Sequence, residues 1–448
     1  MTMQANAAII LSAGKGSRLK SALPKPLHCV GNRPMLLHVL DGVMQLASIT
    51  EIMVVVAPDD QLTPALLAKE FPSVKTAVQP QALGTGHAFM CGVQALATSP
   101  HKVLMLYGDE LFMAHDVLEQ SLFSAHDVCY IARTEADPKR FGRMVVGTGD
   151  QLQRIVEFND ATELEKEIKL VNTGFMSVLG AGLLPRLQMM QPQKNGEFYV
   201  TDLATIVQTQ GKTAGYVVAP SNEAAGANTR ADLAELEAIF QRKKRAELMA
   251  GGVTMQNPES VFVSWDTQMG QDVVLEPHVY CGPNVTIANN VHIKAFSHLE
   301  GCTIGQGCQI GPFARIRPGS DFAENVKIGN FVETKKAKLA AGVKANHLAY
   351  VSDVVVGEKT NIGAGVIFAN YDGYNKYTSQ VGANVMIGCN AVVVSPLSIG
   401  NNAMVAAGTV ITQNVAPDDM AIARAPQKNI SGAAKRFKEK RKLMKESK

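Results

Sequence analysis

The strongest constraint on the fold is an aliphatic residue at every sixth position near the end of the chain. The series contains only valine and isoleucine, and it runs unbroken through Val381, Ile387, Val393, Ile399, Val405 and Ile411. A period of six fits neither an α-helix nor an ordinary strand, whereas it is typical of the hexapeptide coils of a parallel β-helix. Such coils bury their aliphatic side chains in a shared core and are not stable singly. The sequence therefore predicts a solenoid in this region.

The same six-residue period extends back to about residue 253 in several registers. Its positions are Val273, Val279, Val285 and Val291, then Ile304, Ile310, Ile316, Phe322 and Ile328, then Val356, Ile362 and Phe368. Two segments, residues 333–350 and 369–376, interrupt the period. Because loops that break a solenoid commonly carry its functional groups, we expect a functional site there.

Length and cysteine usage indicate a multidomain protein with reduced thiols. At 448 residues the chain exceeds one ordinary core. Its seven cysteines are scattered and include no CxxC pair, which favours a reducing compartment and argues against zinc or redox chemistry. The first residues lack the pattern of an export signal, and no apolar run reaches the ~20 residues of a membrane span. We expect a cytoplasmic protein with no membrane partner.

The net charge of +3 originates at the C-terminus. Residues 435–448 contain eight Lys or Arg against two Glu, so that the rest of the chain is slightly acidic. A basic tail is a weak signal for nucleic acid. A solvated and partly disordered terminus is the more common case, and we do not expect nucleic acid among the partners.

The first half of the chain opens with a strand that runs into a glycine loop and several cations. Apolar residues 7–11 are followed by Gly14, Lys15 and Arg18, with Lys25 shortly after. Glycines let backbone amides approach a phosphate, and the cations can neutralise its charge. The loop fits neither a Walker loop nor a dinucleotide fingerprint, so a tight turn without a ligand is an equal alternative.

Two further buried-strand patterns lie at residues 52–57 and 102–107, with helix-like segments between them. This alternation predicts a Rossmann-like, doubly wound and mostly parallel sheet. The later strand ends in Tyr107-Gly108-Asp109, which places a carboxylate at the edge where open α/β sheets bind ligands. Asp109 is therefore a candidate metal ligand, with a turn-forming Asp as the alternative.

A helical pattern joins the two halves. Residues 232–249 carry Leu233, Leu236 and Phe240 at helical spacing and end before two glycines, which predicts a helical arm. The basic cluster at residues 242–245 is expected to lie on a solvated face. The predicted domains are residues 1–230, the linker helix 231–252, the β-helix 253–430 and the basic tail 431–448.

Taken in order, these motifs resemble those of the bacterial bifunctional N-acetylglucosamine-1-phosphate uridyltransferase and glucosamine-1-phosphate acetyltransferase family. The resemblance covers nearly everything but the basic tail. In the first half the motifs are LSAGKGSR at 11–18, PK at 24–25, LGTGHA at 83–88, YGD at 107–109, FGR at 141–143, Glu157, NTG at 172–174 and GAN at 226–228. In the second half they are GPFARIRPG at 311–319, NFVE at 330–333, His347, NIGAG at 361–365 and NYDG at 370–373. The resemblance implies that the solenoid is a left-handed β-helix and that the chain forms homotrimers with a site between subunits.

For the first half, the resemblance implies transfer of a uridylyl group from UTP to N-acetylglucosamine 1-phosphate. It also implies a Mg²⁺ ion on Asp109 and Asn228, whose oxygen atoms suit a hard cation. The nucleotide-sugar-binding residues that it implies are Leu11, Gly14, Lys25, Gln79, Gly84, Thr85, Tyr107, Gly108, Asp109, Gly142, Glu157, Asn172 and Asn228. Of these, Gln79, Gly84 and Thr85 would contact uracil, and Gly142, Glu157 and Asn172 would contact the sugar.

For the second half, the resemblance implies transfer of acetyl from acetyl-CoA to the amine of glucosamine 1-phosphate. His347 would be the catalytic base, with Glu333 orienting its ring, although the residues alone favour a structural histidine. The sugar-phosphate-binding residues would be Arg317, Lys335, Tyr350 and Asn361. The acetyl-CoA-binding residues would be Ala364, Asn370, Tyr371, Cys389, Ala407 and Arg424. The combined product would be UDP-N-acetylglucosamine for peptidoglycan and lipopolysaccharide precursors.

Two positions depart from the family. Glu110 replaces a usually apolar residue after Asp109, and it either adds a carboxylate near the metal or faces solvent. Cys389 stands where the family commonly has a serine at the thioester, and a thiol is the weaker hydrogen-bond donor. The alternative function is a monofunctional sugar-1-phosphate nucleotidyltransferase with a purely structural β-helix, against which the polar residues of 333–350 argue.

Overall fold

The computed structural model describes residues 5–14, 16–111, 114–138, 141–220 and 225–446. The chain divides into two compact units, Met1–Lys243 and Lys244–Lys448. This boundary falls inside the helix that the sequence predicts as an arm.

The first unit is an α/β structure. Its strands are β1 (Asn6–Leu11), β2 (Cys29–Val30), β3 (Arg33–Pro34), β4 (Ile49–Val56), β5 (Lys75–Val78), β6 (Lys102–Tyr107), β7 (Glu110–Leu111), β8 (Val128–Thr134), β9 (Arg143–Val146), β10 (Leu152–Val156), β11 (Leu170–Leu179), β12 (Ala214–Ala219) and β13 (Ala225–Gly226). Its helices are α1 (Met35–Met44), α2 (Leu62–Glu70), α3 (Thr85–Gln94), α4 (His115–Phe123), α5 (Glu163–Lys166), α6 (Leu183–Gln188) and α7 (Leu203–Thr209), followed by α8 (Arg230–Ala250) at the unit boundary.

The central sheet has the order β10-β9-β11-β6-β1-β4-β5, and β8 joins β11 to β12. Strands β6, β1, β4 and β5 are mutually parallel, whereas β11 runs antiparallel to β6, β8 and β9. The predicted doubly wound α/β fold is confirmed, and its sheet is mixed. The parallel strands β1, β4, β5 and β6 are those that alternate with helices in the sequence. The antiparallel strand β11 comes after Asp109 in the chain.

Strand β1 shows why this sheet is covered by helices on both faces. Its residues from Ala7 to Ile10 are fully buried. Successive side chains of a strand point to opposite faces. Accordingly, Ile9 packs in one core with Phe89 of α3, while Ile10 packs in a second core with Leu36 of α1. An apolar run with no polar alternation thus fits a strand between two helical layers.

The second unit is a parallel β-helix. Its strands are β14 (Thr254–Met255), β15 (Phe262–Val263), β16 (Gln268–Met269), β17 (Val274–Leu275), β18 (Tyr280–Cys281), β19 (Val285–Ile287), β20 (His292–Ile293), β21 (His298–Leu299), β22 (Cys302–Ile304), β23 (Gln309–Ile310), β24 (Arg315–Ile316), β25 (Ser320–Phe322), β26 (Lys327–Asn330), β27 (Glu333–Leu339), β28 (Lys344–His347), β29 (Tyr350–Val356), β30 (Asn361–Ile362), β31 (Ile367–Ala369), β32 (Ser379–Val381), β33 (Met386–Ile387), β34 (Val392–Val394), β35 (Ser398–Ile399), β36 (Met404–Val405), β37 (Val410–Ile411) and β38 (Met420–Ala421). Helix α9 (Ala433–Glu446) follows.

Each coil contributes strands to stacked parallel sheets, one of which runs from β14 through β17, β20 and β23 to β38. The six aliphatic positions that opened the sequence analysis are all at most 5% exposed and belong to one continuous core. The predicted left-handed β-helix of hexapeptide repeats is confirmed.

The prediction that residues 333–350 interrupt the solenoid is wrong. This segment forms the regular strands β27, β28 and β29, each paired in parallel with its neighbours. The aliphatic period fades because small or polar side chains fill the core: Thr334 and Ala345 are fully buried, and the hydroxyls of Ser320 and Thr334 lie 2.9 Å apart. Residues 369–376 do leave the coil, between β31 and β32.

The predicted helical arm is present as α8, and each end packs within its own unit. Leu236 and Phe240 lie in a core of the first unit, and Leu248 joins the core of the second. The expectation of a solvated basic cluster is wrong for Arg245. Its guanidinium is buried, pairs with Glu259 (2.9 Å) and donates to the carbonyl of Val261 (3.1 Å).

The expectation of a solvated and partly disordered terminus holds in its first part for Ala433–Glu446, which is exposed, but this segment is helical. All seven cysteines are free thiols. Among the described residues, none of the helices is long and apolar enough to span a bilayer.

Candidate functional site

The first cluster of predicted residues lies at the carboxyl edge of two adjacent strands. Strands β1 and β6 are parallel neighbours whose last residues, Leu11 and Tyr107, are partners in the ladder. The Gly108 N–H donates to the carbonyl of Leu11 (3.0 Å), which brings the following Gly14 and Asp109 to the same edge. A Cβ added to Gly14 would meet no atom within 4 Å, so the loop is open at this point.

A cation lies between the two predicted metal ligands. The Lys25 ammonium forms an ion pair with the carboxylate of Asp109 and donates to Asn228 Oδ1 (2.9 Å). The Arg18 guanidinium donates to the same Asn228 oxygen (2.9 Å). The carboxylate and the amide oxygen therefore converge on one positive charge, and both are hard donors of the kind that Mg²⁺ prefers. These two residues fit a divalent cation.

Asn228 is positioned by the start of α8. The Asp232 carboxylate accepts hydrogen bonds from the N–H groups of Asn228 and Thr229 (2.8 Å each), and the Asp232 N–H donates to the Thr229 hydroxyl (3.2 Å). This reciprocal cap satisfies free N–H groups at the helix start. It also fixes the backbone that carries the Asn228 side chain.

Lys15, which the sequence predicts as a phosphate contact, lies outside the described residues. Within the described ranges, no group of three or more His, Cys, Asp or Glu side chains is arranged to hold a metal. The candidate metal site therefore consists of Asp109 and Asn228. Any further ligands of the ion would not be His, Cys, Asp or Glu side chains of the described residues.

The predicted uracil contacts form one loop before α3. The buried Gln79 amide donates to the carbonyl of Gly84 (3.1 Å) and lies 3.2 Å from His87 Nδ1. Gly84 has a φ of +90°, and a Cβ there would lie 2.7 Å from the Phe198 carbonyl oxygen. Glycine is required at this turn, which leads into Thr85, the first residue of α3.

The predicted sugar contacts lie close to one another, since a Cβ on Gly142 would lie 3.5 Å from the Glu157 carboxylate. The Asn172 N–H donates to the carbonyl of Gly142 (2.9 Å), and the Asn172 Oδ1 accepts from the Gly174 N–H (3.0 Å). A Cβ on Gly174 would lie 2.3 Å from the Tyr107 ring, so that only glycine admits the ring. Burial, followed by the charges of Asp160 and Asp202, raises the pKa of Glu157.

Glu110 does not simply face solvent. It is half-buried in a short antiparallel pair with Gly226, and a Cβ on that glycine would lie 2.8 Å from the Glu110 side chain. Burial, together with the neighbouring charge of Asp109, raises the pKa of Glu110 to about 8. The second carboxyl group therefore lies beside the candidate metal ligand.

In the second unit, His347 is held by an amide and not by the predicted carboxylate. His347 Nδ1 lies 3.1 Å from Asn330 Oδ1, and the two residues are ladder partners on β26 and β28. Glu333 instead pairs with Arg317 (2.7 Å). The expectation that Glu333 orients the His347 ring is therefore wrong for the single chain, because Arg317 takes up that carboxylate.

The Asn330 contact has a chemical consequence. An amide oxygen can only accept a hydrogen bond, so it selects the imidazole tautomer with its proton on Nδ1. The lone pair of the exposed His347 side chain is then on Nε2, available to accept a proton. Asn330 belongs to the NFVE motif of the sequence, but that motif does not indicate its partner. The 17-residue separation from His347 predicts a contact only if the length of one coil is already known.

Three of the four predicted sugar-phosphate residues share one face. Arg317 lies just after β24, while Lys335 and Tyr350 lie on the neighbouring strands β27 and β29. Asn361 is on β30, in the other sheet, where its ladder partners are Lys344 and Met386. One chain therefore does not gather all four residues on one face.

Lys376 is a further cation of this region, which sequence reasoning did not single out. The proximity of its ammonium group lowers the pKa of Lys335. Two like charges side by side are unfavourable without an anion between them. Lys376 lies in the segment 369–376, which leaves the coil. The interruption of the six-residue period in this segment is the sequence signal that could have identified Lys376 as a candidate site residue.

Four of the predicted acetyl-CoA residues form a column along one edge of the β-helix. Each lies about one coil from the next, and Ala364 lies one coil beyond His347. The hydrogen bonds that join the column run from the Asn390 N–H to the Ala364 carbonyl (2.7 Å), from the Gly408 N–H to the Cys389 carbonyl (2.8 Å), and from the Arg424 guanidinium to the Ala407 carbonyl (2.7 Å).

The other two predicted acetyl-CoA residues lie at the base of the loop 369–376. Asn370 is buried, and its amide donates to Asp353 (2.5 Å) and Ser352 (3.3 Å), so that it anchors the loop. Tyr371 is exposed, and its hydroxyl donates to the carbonyl of Gly373 (2.5 Å). Tyr371 is thus the member of this pair with surface available to a ligand.

Comparison with known proteins covers both units. A family model described as the MobA-like NTP transferase domain matches residues 8–209, and one described as the bacterial transferase hexapeptide (six repeats) matches residues 378–413. A relative named Bifunctional protein GlmU from Jannaschia sp. (strain CCS1) is 41% identical over 445 residues, covering 99% of this chain and 98% of that protein. Relatives of the same name from Paramagnetospirillum magneticum and Sphingopyxis alaskensis are 42% and 43% identical, each alignment covering 96% of both chains. The chain therefore belongs to the family of bifunctional GlmU proteins.

Proposed function

We propose that this protein makes UDP-N-acetylglucosamine by two transfers. It acetylates glucosamine 1-phosphate with acetyl-CoA, then transfers a uridylyl group from UTP to the N-acetylglucosamine 1-phosphate, releasing pyrophosphate. The observation that carries this proposal is that each unit holds its own cluster of suitable groups: Lys25, Asp109 and Asn228 in the first, and Asn330 with His347 in the second.

In the first site the reactants are all anions, so charge is the main obstacle to reaction. Asp109 and Asn228 would hold Mg²⁺, which would neutralise and align the phosphates. Lys25 and Arg18, which now share the Asn228 oxygen, would bind phosphate oxygens when the metal takes that oxygen. No protein nucleophile is required, because alignment and charge stabilisation can carry an in-line displacement.

Binding groups for the two ends of the nucleotide sugar flank this centre. The loop of Gln79, Gly84 and Thr85 would contact uracil, since it presents backbone polar groups held in place by the Gln79 amide. Gly142, Glu157 and Asn172 would hold the sugar on the other side of Tyr107. Leu11 and Gly108, which are joined by a backbone hydrogen bond, would complete the edge that faces the nucleotide.

In the second site a neutral amine must attack the thioester carbonyl. His347 Nε2 would take one proton from the attacking amine as the C–N bond forms, and the C–S bond breaks to release CoA as its thiol or thiolate. Asn330 holds the ring in the tautomer that this requires. An exposed histidine with its Nδ1 fixed is suited to a base that meets its substrate at the surface.

The sugar phosphate would bind on the face of Arg317, Lys335 and Tyr350. The adjacent ammonium groups of Lys335 and Lys376 offer two donors for one phosphate, and its binding would relieve their repulsion. Acetyl-CoA would lie along the column of Ala364, Cys389, Ala407 and Arg424, with Asn370 and Tyr371 at its side. Cys389 is exposed and would place its thiol near the thioester.

We further propose a homotrimer. A column of exposed side chains at one corner of successive coils supports it: Phe296, Phe313, Phe331 and Leu348 are each 47–63% exposed. The three rings stack at centroid distances of 4.9 and 5.5 Å. An apolar column of this kind on a single chain favours burial against a neighbour. A second subunit could also supply the Asn361 that one chain places on another face.

The experiment that tests the function supplies glucosamine 1-phosphate, acetyl-CoA, UTP and Mg²⁺ and measures UDP-N-acetylglucosamine. The alternative, a nucleotidyltransferase with a structural β-helix, predicts no product unless N-acetylglucosamine 1-phosphate is added. Omission of Mg²⁺ in the presence of a chelator tests the metal proposal in the same assay. We propose the cytoplasm as the location, where these charged substrates would be available.

A further inference from the structure

Helix α9 (Ala433–Glu446) is a basic helix whose large apolar side chains face solvent. It contains seven Lys or Arg and two Glu. Phe437, Leu443 and Met444 are 62%, 67% and 54% exposed. Neither proposed active site uses any residue of this helix, so its composition needs a separate explanation.

The two glutamates of α9 lie on one side of the helix. Successive residues of an α-helix are rotated by about 100°, which places Ala433, Phe437 and Met444 within about 40° of one another and both glutamates on the opposite half. Glu439 pairs with Lys435 (4.0 Å), and Glu446 pairs with Lys442 (3.9 Å). Negative charge is thus confined to the side away from Phe437 and Met444, whereas Leu443 lies beside both glutamates.

The half of α9 that carries Phe437 and Met444 has only positive charges among its charged residues. Arg436 and Lys440 flank Phe437 and Met444 on one side, and Arg441 flanks them on the other. The Arg441 guanidinium lies 5.3 Å from the centroid of the Phe437 ring. Apolar side chains bordered by cations on one face are typical of helices that lie in the interface of an anionic bilayer.

We propose that α9 docks this protein on the surface of a bilayer that contains anionic phospholipids. The cations would contact lipid phosphates while Phe437 and Met444 enter the boundary with the acyl chains. Nucleic acid would satisfy the cations but would leave the exposed Phe437 and Met444 in water, so the charge and the apolar residues of this face together favour the bilayer. This proposal goes against the expectation, drawn from the absence of an apolar span, that the protein has no membrane partner.

The test is co-sedimentation of the full-length protein with phospholipid vesicles. We expect binding to vesicles with about 30% phosphatidylglycerol in phosphatidylcholine at about 0.1 M salt, where charges act over about 10 Å. Binding to pure phosphatidylcholine should be at least fivefold weaker. Equal recovery with and without vesicles, or binding to duplex DNA but not to vesicles, would overturn the proposal.

Matched variants separate a docking face from general basicity. Lys440→Gln with Arg441→Gln, and Lys435→Gln with Lys442→Gln, remove the same charge from opposite halves of α9. We expect the first pair to reduce vesicle binding at least threefold and the second less than twofold. Phe437→Ser, which changes no charge, should also reduce binding at least threefold. Equal loss from both pairs with no effect of Phe437→Ser would contradict docking through this face. Unchanged transfer activities in all variants would show that the protein remains folded.

Discussion

The two candidate sites are built in opposite ways. In the first unit, Lys25 and Asn228 are 203 residues apart and meet because strand ends and the start of α8 converge at one sheet edge. In the second unit, Asn330 and His347 are 17 residues apart and meet because the coil repeats. The first site holds a partly buried ion pair, whereas the second is exposed. Substitutions should therefore disturb folding more readily in the first site than in the second.

Lys25→Met has the largest expected effect among variants that sharpen this contrast. It removes the cation between Asp109 and Asn228, and we expect uridylyl transfer to fall by roughly 10²–10³ in kcat/KM. Since a partly buried carboxylate loses its partner, the first unit should also become less stable. The measurement is UTP turnover with N-acetylglucosamine 1-phosphate supplied, together with thermal unfolding. Unchanged turnover would contradict the assignment of Lys25, and Lys20→Met is an exposed control.

Asn330→Leu tests whether the amide positions His347. We expect acetyl transfer to fall by roughly 10–100-fold without loss of stability, because the imidazole can then adopt the wrong tautomer. Asn330→Asp keeps an acceptor and adds a negative charge that favours the imidazolium. It should retain more activity and shift the acidic limb of the pH–rate profile to higher pH. A profile that is identical in wild type and Asn330→Asp would indicate that Asn330 has only a structural role.

Lys376→Ala tests the paired ammonium groups and should have a smaller effect. We expect the KM for glucosamine 1-phosphate to rise by about tenfold, as for loss of one charge-assisted hydrogen bond. Uridylyl transfer should not change, because Lys376 lies in the second unit. Lys428→Ala removes an exposed lysine of the same unit as a control. An equal rise in KM for both variants would indicate general electrostatic attraction rather than a phosphate site.

Glu51→Gln should have the smallest effect on either activity and a selective effect on stability. Burial by itself raises the pKa of Glu51, but hydrogen bonds from Ala97, Thr98 and Lys75 outweigh it and lower the pKa to about 2. Because the pKa of Glu51 in the folded protein lies below the ordinary value, the ionised carboxylate stabilises the folded first unit. This contribution to the free energy of unfolding is present above about pH 4.3 and is lost as the pH falls towards 2. It amounts to at most about 3 kcal/mol.

The single tryptophan makes this selectivity measurable. Trp265 lies in the β-helix, so its fluorescence reports the second unit, while calorimetry reports both. At pH 7, Glu51→Gln should lower the unfolding temperature of the first unit and leave the Trp265 transition in place. Between about pH 4.3 and 2, the difference between wild type and variant should shrink. The exposed control is Glu119→Gln, and an equal shift of both transitions would contradict independent units.

The same contrast explains how much could be predicted from the sequence. The β-helix was predictable because its core repeats locally, and Val381 to Ile411 supply that repeat without a break. The segment 333–350 was misread because Thr334 and Ala345 fill the core in place of aliphatic residues. The strands of the first unit were predictable from apolar runs. Its antiparallel β11 was not, because pairing between distant strands leaves no periodic signal.

Individual contacts within the sites were the least predictable. The resemblance places Lys25, Asp109 and Asn228 in one site, but no local pattern indicates that one ammonium group contacts both oxygens. The partner of His347 was predicted wrongly because Glu333 is closer to it in sequence than Asn330 is, and only the three-dimensional structure shows Glu333 paired with Arg317. Such choices between neighbouring polar groups depend on side-chain geometry.

The central claim, that two independent sites lie in one chain, is tested most directly by measuring both transfers on Asp109→Ala and on His347→Ala. N-acetylglucosamine 1-phosphate is supplied for the uridylyl assay, so that neither assay depends on the other. We expect Asp109→Ala to abolish uridylyl transfer and retain acetyl transfer. His347→Ala should lower acetyl transfer by roughly 10²–10⁴ and retain uridylyl transfer. A folded variant in which one substitution removed both activities would contradict the claim.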